Sequence, residues 1–310
     1  MLRASGVRIG WADLPRHIRT GVEAVLGDPV ATARSQRGGF SPGTADRVMT
    51  RDGRRAFVKA VSTGLNATSV AMARREAHVT ALMPPGAPVP RLLGAFEDDD
   101  EAGDTWMVLV LEDVEGRHPR TPWVEAEVAA ALHALRELEL HLTPSPMPGL
   151  ERAGDRLAPQ FAGWDLLAAE PMPGLHPWVR AHIDELRAAA HRGLAVLRTG
   201  ATVAHCDLRA DNLLLRPDGR VVVVDWPAAA VAPAWLDRLH LAMDVTAHGG
   251  DGDALIADID PGHATDVGAG FTGYLLERSR HPSPGIPLVR DFQRALADAL
   301  LPWLRDRMDR

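Results

Sequence analysis

The stretch 203-VAHCDLRADNLLLRPDGRVVVVDW-226 decides how this chain folds. Its polar residues His205, Asp207 and Asn212 precede one apolar run, and Asp225 ends a second one. Surface loops are often acidic, but they are seldom bounded by runs such as NLLL and VVVVD. The two runs predict a small hairpin, which would bring Asn212 and Asp225 together.

The spacing of these polar residues fits the needs of phosphoryl transfer. That reaction requires a carboxylate near the attacking hydroxyl and oxygen ligands that hold Mg²⁺ on the phosphates. The pattern His-x-Asp-Leu-x-x-x-Asn, followed by an aspartate at a strand end, is that of a kinase catalytic loop. We therefore predict Asp207 as the catalytic residue, and Asn212 and Asp225 as Mg²⁺ ligands. His205 is predicted to be a buried residue that holds the loop, without a part in proton transfer.

Such a loop should be accompanied by a lysine upstream, and Lys59 is suitably placed. It follows the alternating segment AFVK, so Phe57 and Lys59 lie on the same face of a predicted strand. We expect Lys59 to reach the nucleotide phosphates and Phe57 to lie along the adenine. Glu76, in the helix that follows, is predicted to pair with Lys59. Arg74, Arg75 and water remain alternative partners for this glutamate.

The segment GGFSPG, upstream of Lys59, is predicted to be a glycine-rich turn. It lacks the G-x-G-x-x-G spacing of protein kinases and the GK[ST] of a P-loop. We expect Phe40, Ser41 and Gly43 to form a shorter loop whose backbone N–H groups face the phosphates.

Together these segments resemble the aminoglycoside phosphotransferase family, the small-molecule branch of the protein-kinase-like fold. The resemblance spans about residues 30–245 and is carried by RGGFSPGTADRV, FVK, RREA, LLGAF, VLVLEDVEG, ALHAL, HCDLRADNLLL, VVVVDWPAA and WLDRLHLAMD. The family commonly has an Asp-Trp or Asp-Phe pair at the second metal ligand, which Asp225 and Trp226 match. Asp237 matches an acidic position that the family uses to brace the catalytic loop.

The sequence also departs from regulated protein kinases. Pro227 follows the Asp-Trp pair, so the glycine of the DFG motif is missing, and no Ala-Pro-Glu segment follows. These differences favour a constitutively active small-molecule kinase over a switched protein kinase.

The resemblance implies an α+β fold with two lobes. Residues 1–111 are expected to form a small, β-rich, nucleotide-binding lobe, residues 112–118 a hinge, and residues 119–310 a helical lobe with the catalytic loop and the acceptor site. The backbone of Glu112 and Val114 in the hinge would meet the adenine.

Hydrophobic periodicity predicts the elements more locally. In the first lobe the order is a helix, three strands, a helix and two strands. The first helix is placed at 13–26 with Asp13 near its cap, and the second at 66–83 with Asn66 as its cap. A long helix is predicted from Thr121 as cap, further helices at 176–198, 234–247 and 287–308, and an irregular segment at 143–175.

Composition excludes several classes of protein. The 34 basic and 41 acidic residues give a net charge of −7, which offers no support for nucleic-acid binding. Cys206 is the only cysteine, so an internal disulfide cannot form. No apolar run is as long as a membrane span, and the amino end lacks the apolar core of a signal peptide. We therefore expect a cytoplasmic protein, either a monomer or a homodimer, that binds a nucleotide and a small molecule.

The sequence predicts a Mg²⁺-dependent transfer of the γ-phosphate of ATP or GTP to a hydroxyl of a small molecule. An aminoglycoside-like antibiotic, choline, homoserine, a sugar and a macrolide all remain open as acceptors, and resistance and metabolism as roles. A catalytically silent nucleotide-binding protein is the alternative, but the lysine, the catalytic aspartate and both metal ligands are present. Segment 244–266 is rich in aspartate. It is either an acceptor wall that binds ammonium groups or a solvated loop, and its candidates are Asp244, Asp251, Asp253 and Asp258.

Overall fold

The structure is a computed structural model, and it describes residues 8–36, 42–283 and 288–309. Its amino-terminal part is built on one antiparallel sheet with the strand order β1-β2-β3-β5-β4. The strands are β1 (Val30–Ser35), β2 (Thr44–Thr50), β3 (Arg55–Ser62), β4 (Leu92–Asp99) and β5 (Thr105–Glu112). With helix α1 (Arg16–Leu26) before β1 and helix α2 (Thr63–Ala81) after β3, the predicted order of elements is confirmed.

Strand β3 shows why Phe57 and Lys59 share a face. Its alternate residues Ala56, Val58 and Ala60 are buried in a cluster that includes α1. Phe57 and Lys59 therefore point to the opposite side of the sheet, where they line a cleft.

One predicted helix start in this part was wrong, and the other is preceded by an additional turn. Asp13 belongs to a short 3₁₀ turn, Trp11–Asp13, and α1 begins only at Arg16, after Pro15. Helix α2 begins at Thr63, where the Ser62 hydroxyl accepts a hydrogen bond from the backbone of Leu65. The backbone then leaves helical geometry at Asn66. Because the Oδ1 of Asn66 accepts from the Ser69 N–H at 2.8 Å, Asn66 still caps the longer part of the helix as predicted.

The rest of the chain is mainly helical. Its helices are α3 (Glu125–Leu142), α4 (Ala153–Arg156), α5 (Ala158–Phe161), α6 (Gly163–Ala169), α7 (Pro177–Ala181), α8 (Ile183–Leu197), α9 (Leu236–Ala247), α10 (Pro261–Ser279) and α11 (Val289–Met308). None of the helices in the described part of the chain combines the length and the apolar character needed to cross a membrane.

Three predictions for this part were wrong. Helix α3 begins at Glu125, so Thr121 is not its cap. The side chain of Glu127 instead fixes the segment 117–120, because it accepts hydrogen bonds from Arg117 and Arg120. Segment 143–175, predicted to be irregular, contains the short helices α4, α5 and α6.

The third error is the omission of α10. Its start has a recognisable signal, because the Asp260 side chain accepts from the His263 N–H at 2.9 Å and Pro261 follows. Its glycines have a low helix propensity, so the sequence alone does not favour a helix here. They are needed for packing, since a Cβ at Gly270 would collide with the ring of Phe161.

The opening stretch forms two small antiparallel pairs. Strand β6 (Thr202–Ala204) pairs with β9 (Ala230–Ala232), and β7 (Leu213–Leu215) pairs with β8 (Val221–Val223). The Val224 N–H donates to the Asn212 carbonyl at 2.9 Å. The predicted hairpin is therefore present, and it places the backbone of Val224, just before Asp225, beside that of Asn212.

Candidate active site

A cleft of about 1460 Å³ lies between the sheet and the helices. It collects most of the residues that the sequence singled out. Phe57, Lys59, Glu76, Glu112, Val114, Asp207, Asn212, Asp225 and Asp244 all line it. This arrangement supports a single site built from both parts of the chain.

Lys59 joins the sheet, helix α2 and the catalytic segment. Its Nζ lies 2.7 and 2.9 Å from the two carboxylate oxygens of Glu76 and 2.7 Å from Oδ1 of Asp225. The predicted Lys59–Glu76 ion pair is thus present. Burial opposes the charge of this lysine, but the two carboxylates outweigh burial and raise the pKa of Lys59 above its usual value. A permanently charged ammonium beside Asp225 is suited to phosphate oxygens.

Asp237 holds the backbone of the predicted catalytic loop in place. This carboxylate, on α9, accepts from the backbone N–H of His205 at 2.7 Å and of Cys206 at 3.0 Å. His205 is completely buried, and its Nε2 bonds the Val224 carbonyl at 2.9 Å while its Nδ1 accepts from the Asp207 N–H at 3.2 Å. These contacts agree with structural roles for His205 and Asp237.

Asp207 lies in the cleft beside an arginine that sequence reasoning missed. The Arg209 guanidinium donates to Asp207 Oδ1 at 2.6 Å and, through Nε, to Asp211 at 3.1 Å. Burial raises the pKa of Asp207, and the positive charge of Arg209 opposes that rise. The signal for Arg209 was its position two residues after Asp207, the predicted catalytic residue.

Asn212 and Asp225 suit a magnesium ion as ligands. The Asn212 amide nitrogen donates to the Asp207 carbonyl at 2.7 Å, which leaves the amide oxygen as the free ligand atom. The Asp225 side chain is 48% exposed, and its φ of +70° is a strained, left-handed conformation of the kind concentrated at functional sites. No group of three acidic, histidine or cysteine residues among the described residues could hold a metal alone. Mg²⁺ usually takes only one or two protein carboxylates and completes its shell with phosphates and water, so this pair fits it.

The segment after β5 has well-defined backbone contacts. The Glu112 N–H donates to the Arg91 carbonyl at 2.9 Å, so this donor is already used. Arg47 lies 2.6 Å from Asp113, and it reaches the Val114 carbonyl at 3.5 Å. The Glu112 N–H is therefore not available as a donor to a nucleobase.

The predicted glycine-rich loop can be tested only in part. Phe40 and Ser41 lie outside the described residues. Gly43 is buried, and it does not belong to the described residues of the cleft wall. A Cβ at Gly43 would collide with the Ala60 carbonyl, so this glycine permits close packing of the chain against β3.

The aspartate-rich segment does not form an acceptor wall. Of the aspartates in this segment, only Asp244 belongs to the described residues of the cleft wall. Asp253 instead contacts Trp303 and Arg307, and Asp258 contacts Arg238. Asp251 accepts from the backbone of Ala254. The candidates Asp251, Asp253 and Asp258 were therefore placed wrongly, since none of them belongs to the described cleft wall. Arginines neutralise Asp253 and Asp258, and a neighbouring backbone N–H orients Asp251.

Asp244 lines the cleft, and one of its carboxylate oxygens accepts two hydrogen bonds within the protein. Its Oδ2 accepts from the Trp123 indole at 2.9 Å and from the Ala210 N–H at 3.2 Å. Burial raises the pKa of Asp244, and His248 opposes the rise. This residue holds the catalytic loop against α9 rather than offering a free carboxylate.

Comparison with known proteins defines the class to which this site belongs. Residues 37–270 match the model of the phosphotransferase enzyme family, APH. The chain belongs to this family, so the predicted membership among small-molecule phosphotransferases is confirmed. No protein of curated function matches the sequence.

Solved structures show the same fold at low sequence identity. Aminoglycoside 2′-phosphotransferase-IIIa in its GDP complex has a TM-score of 0.60 and 13% identity, with 94% of this chain and 98% of that chain covered. Choline kinase LicA from Streptococcus pneumoniae has a TM-score of 0.58 and 14% identity, with coverage of 93% and 98%. Amicoumacin kinase hAmiN with AMP-PNP and Ca²⁺ has a TM-score of 0.53 and 14% identity, with coverage of 86% and 88%. The predicted two-lobed, protein-kinase-like α+β fold is confirmed.

Proposed function

We propose that the protein transfers the γ-phosphoryl group of ATP or GTP to a hydroxyl of a small molecule, with Mg²⁺ on the phosphates. One observation carries the proposal. Lys59, Glu76 and Asp225 form a single ion-pair cluster in the same cleft as Asp207 and Asn212. This set supplies a cation for phosphate, two oxygen ligands for a metal and a carboxylate for the acceptor.

The described residues divide the reaction between them. Asp207 accepts the proton of the acceptor hydroxyl while the acceptor oxygen forms a bond to the γ-phosphorus. The bond from that phosphorus to the β–γ bridging oxygen breaks, and the nucleoside diphosphate leaves with the electron pair. Lys59 binds the α- and β-phosphates, and Glu76 holds its ammonium in place. When bound, Mg²⁺ neutralises phosphate charge, and Asn212 and Asp225 would hold it.

Structural relatives support a nucleotide and a divalent cation in this cleft. One contains GDP, and another contains AMP-PNP with Ca²⁺. We propose that residues 112–118 form the hinge, with Val114 at the nucleobase and Phe57 stacked on it. Backbone contacts of this kind are available to adenine and to guanine, so both nucleotides belong in the test.

The experiment is a nucleotide-consumption assay with purified protein, Mg²⁺, ATP or GTP, and a panel of hydroxylated metabolites and antibiotics. We expect acceptor-dependent release of nucleoside diphosphate, and a fall in kcat of roughly 10²–10⁴ in Asp207→Asn. Nucleotide affinity should survive in that variant, because Asp207 is not a proposed metal ligand. Undiminished turnover of Asp207→Asn would remove the aspartate from the mechanism, and acceptor-independent release alone would contradict the proposed transfer.

A further inference from the structure

We propose that the acceptor is a neutral alcohol with a bulky apolar body and a second hydrogen-bonding group, and not a polyamine. This inference deepens the proposed function and rests on it. It concerns the part of the cleft beyond Asp207, which helices α9, α10 and α11 enclose.

An apolar stripe on α11 forms one side of this region. Val289, Phe292, Leu296 and Leu300 all line the cleft, and their spacing of three or four residues places them on one face of the helix. Phe292 is only partly buried in the protein. Gln293 also lines the cleft from this helix, so the face is mainly apolar. A mainly apolar face inside a cleft is typical of a site that receives an apolar ligand.

Helices α9 and α10 continue the same surface. Met243, Phe271 and Leu275 line the cleft with the α11 stripe. Phe271 packs edge-on against the Phe161 ring at 5.1 Å between centroids, which fixes its orientation. The acceptor region therefore has largely apolar walls, against which a ligand gains by burying its own apolar surface.

The carboxylates of this region already have partners within the protein. Arg209 binds both Asp207 and Asp211, and Asp244 accepts from Trp123 and the Ala210 backbone. A polyamine would therefore have to share or displace these partners to bind a carboxylate of the described wall. It would also meet the positive charge of Arg209.

The aromatic faces offer little to a quaternary ammonium group either. The Arg209 guanidinium carbon lies 5.4 Å from the centroid of the Phe292 ring, and that of Arg278 lies 5.9 Å from the centroid of Tyr274. A cation already covers a face of each ring, and a second cation nearby would be repelled. These two rings are therefore poor sites for a quaternary ammonium group.

Polar atoms without a partner indicate where the ligand is held. Within the described residues, the buried Gln160 Oε1 and His248 Nε2 lack a hydrogen-bond partner, and both residues line the cleft. Buried polar atoms are rarely left unsatisfied unless a ligand or water completes them. The Gln160 amide oxygen can only accept, so it calls for a hydroxyl or N–H donor on the ligand.

A binding experiment tests this inference independently of turnover. Calorimetry with AMP-PNP and Mg²⁺ present would compare kanamycin and choline with chloramphenicol and a neutral polyol macrolactone. We expect a neutral probe to bind more tightly than either cation, with a Kd that changes less than about twofold between 0.05 and 0.5 M NaCl. Phe292→Ala and Gln160→Ala should each weaken that binding about tenfold or more and leave AMP-PNP affinity unchanged. The matched control is Asp298→Ala, on the exposed side of α11, which should match the wild type.

The outcomes separate this inference from the proposed function. If kanamycin or choline binds more tightly than both neutral probes, or if Phe292→Ala and Gln160→Ala bind the preferred probe like the wild type, the inference is wrong. Phosphorylation of a cationic probe would overturn the acceptor class and leave the kinase function intact. Binding of a neutral probe without any phosphoryl transfer, from ATP and GTP alike, would support the acceptor class and contradict the kinase function.

Discussion

The ammonium of Lys59, on strand β3, lies 2.7 Å from Oδ1 of Asp225, which follows strand β8. The same nitrogen contacts both oxygens of Glu76. Glu76 is buried, whereas Asp225 is about half exposed. We therefore expect Lys59 to keep its contact with Glu76 and to exchange Asp225 for phosphate oxygens when a nucleotide binds.

Replacement of Lys59 tests its role at the phosphates. Lys59→Met should weaken nucleotide binding about 10- to 100-fold, the range expected for lost hydrogen bonds to a charged group. Calorimetric titration with AMP-PNP measures this. Arg74→Met is the control, because Arg74 pairs with Glu97 outside the cleft and should bind like the wild type. Normal affinity of Lys59→Met would refute the assignment.

The proposed metal ligands can be tested by removing the metal. Nucleotide affinity of the wild type should be higher in Mg²⁺ than in EDTA, and Asp225→Asn should lose most of that difference because it loses a ligand charge. Glu76→Gln should retain the difference, since Glu76 is not a proposed ligand. Equal wild-type affinities in the two buffers would exclude Asn212 and Asp225 as metal ligands.

Asp237 should matter for stability as well as for activity. It is buried and accepts from two backbone N–H groups, so Asp237→Ala leaves both donors without this partner. We expect the free energy of unfolding to fall by about 2–4 kcal/mol, as measured by urea denaturation. Asp258→Ala should cause little change, because its ion pair with Arg238 is exposed. Similar losses in the two variants would argue against a bracing role for Asp237.

The predictions that agree with the structure depended on short-range geometry. A hairpin fixes the distance between Asn212 and Asp225 through local pairing of β7 and β8. Strand alternation fixes the side of the sheet to which Phe57 and Lys59 point. Such rules involve neighbours in sequence, so they can be read before any tertiary contact is known.

The predictions that failed depended on partners far away in the chain. The aspartate-rich segment looks like a free acidic surface in sequence. Yet Asp253 is bound by Arg307, which lies 54 residues further on. Helix α10 was missed because its glycines are poor helix formers, whereas the structure uses Gly270 to admit the Phe161 ring. In helix α10, tertiary packing therefore outweighs the low helix propensity of glycine.

Arg209 is expected to position Asp207 and to keep it ionised. Because its positive charge opposes the rise in the pKa of Asp207, Arg209→Gln should raise that pKa further. The base would then be protonated at higher pH, so the acidic limb of kcat/KM should move to higher pH. Arg209→Lys should restore most of the wild-type profile. A loss of activity by the same factor at every pH would indicate a purely structural role.

Glu127 gives a pH-dependent contribution to stability at the segment that follows β5. Hydrogen bonds from Arg117 and then from Arg120 lower the pKa of Glu127 to about 2, although burial opposes them. A carboxylate with a depressed pKa in the folded state stabilises the fold above its unfolded-state pKa of about 4.3, and this stabilisation is lost as pH falls toward 2. Glu127→Gln should therefore lower Tm at pH 7, and the gap to the wild type should narrow steadily as pH falls from about 5 to 3. Glu125→Gln, an exposed change in the same helical turn, should leave Tm nearly unchanged at every pH. A gap between wild type and Glu127→Gln that stays constant with pH would show that the arginine contacts do not depend on the charge of Glu127.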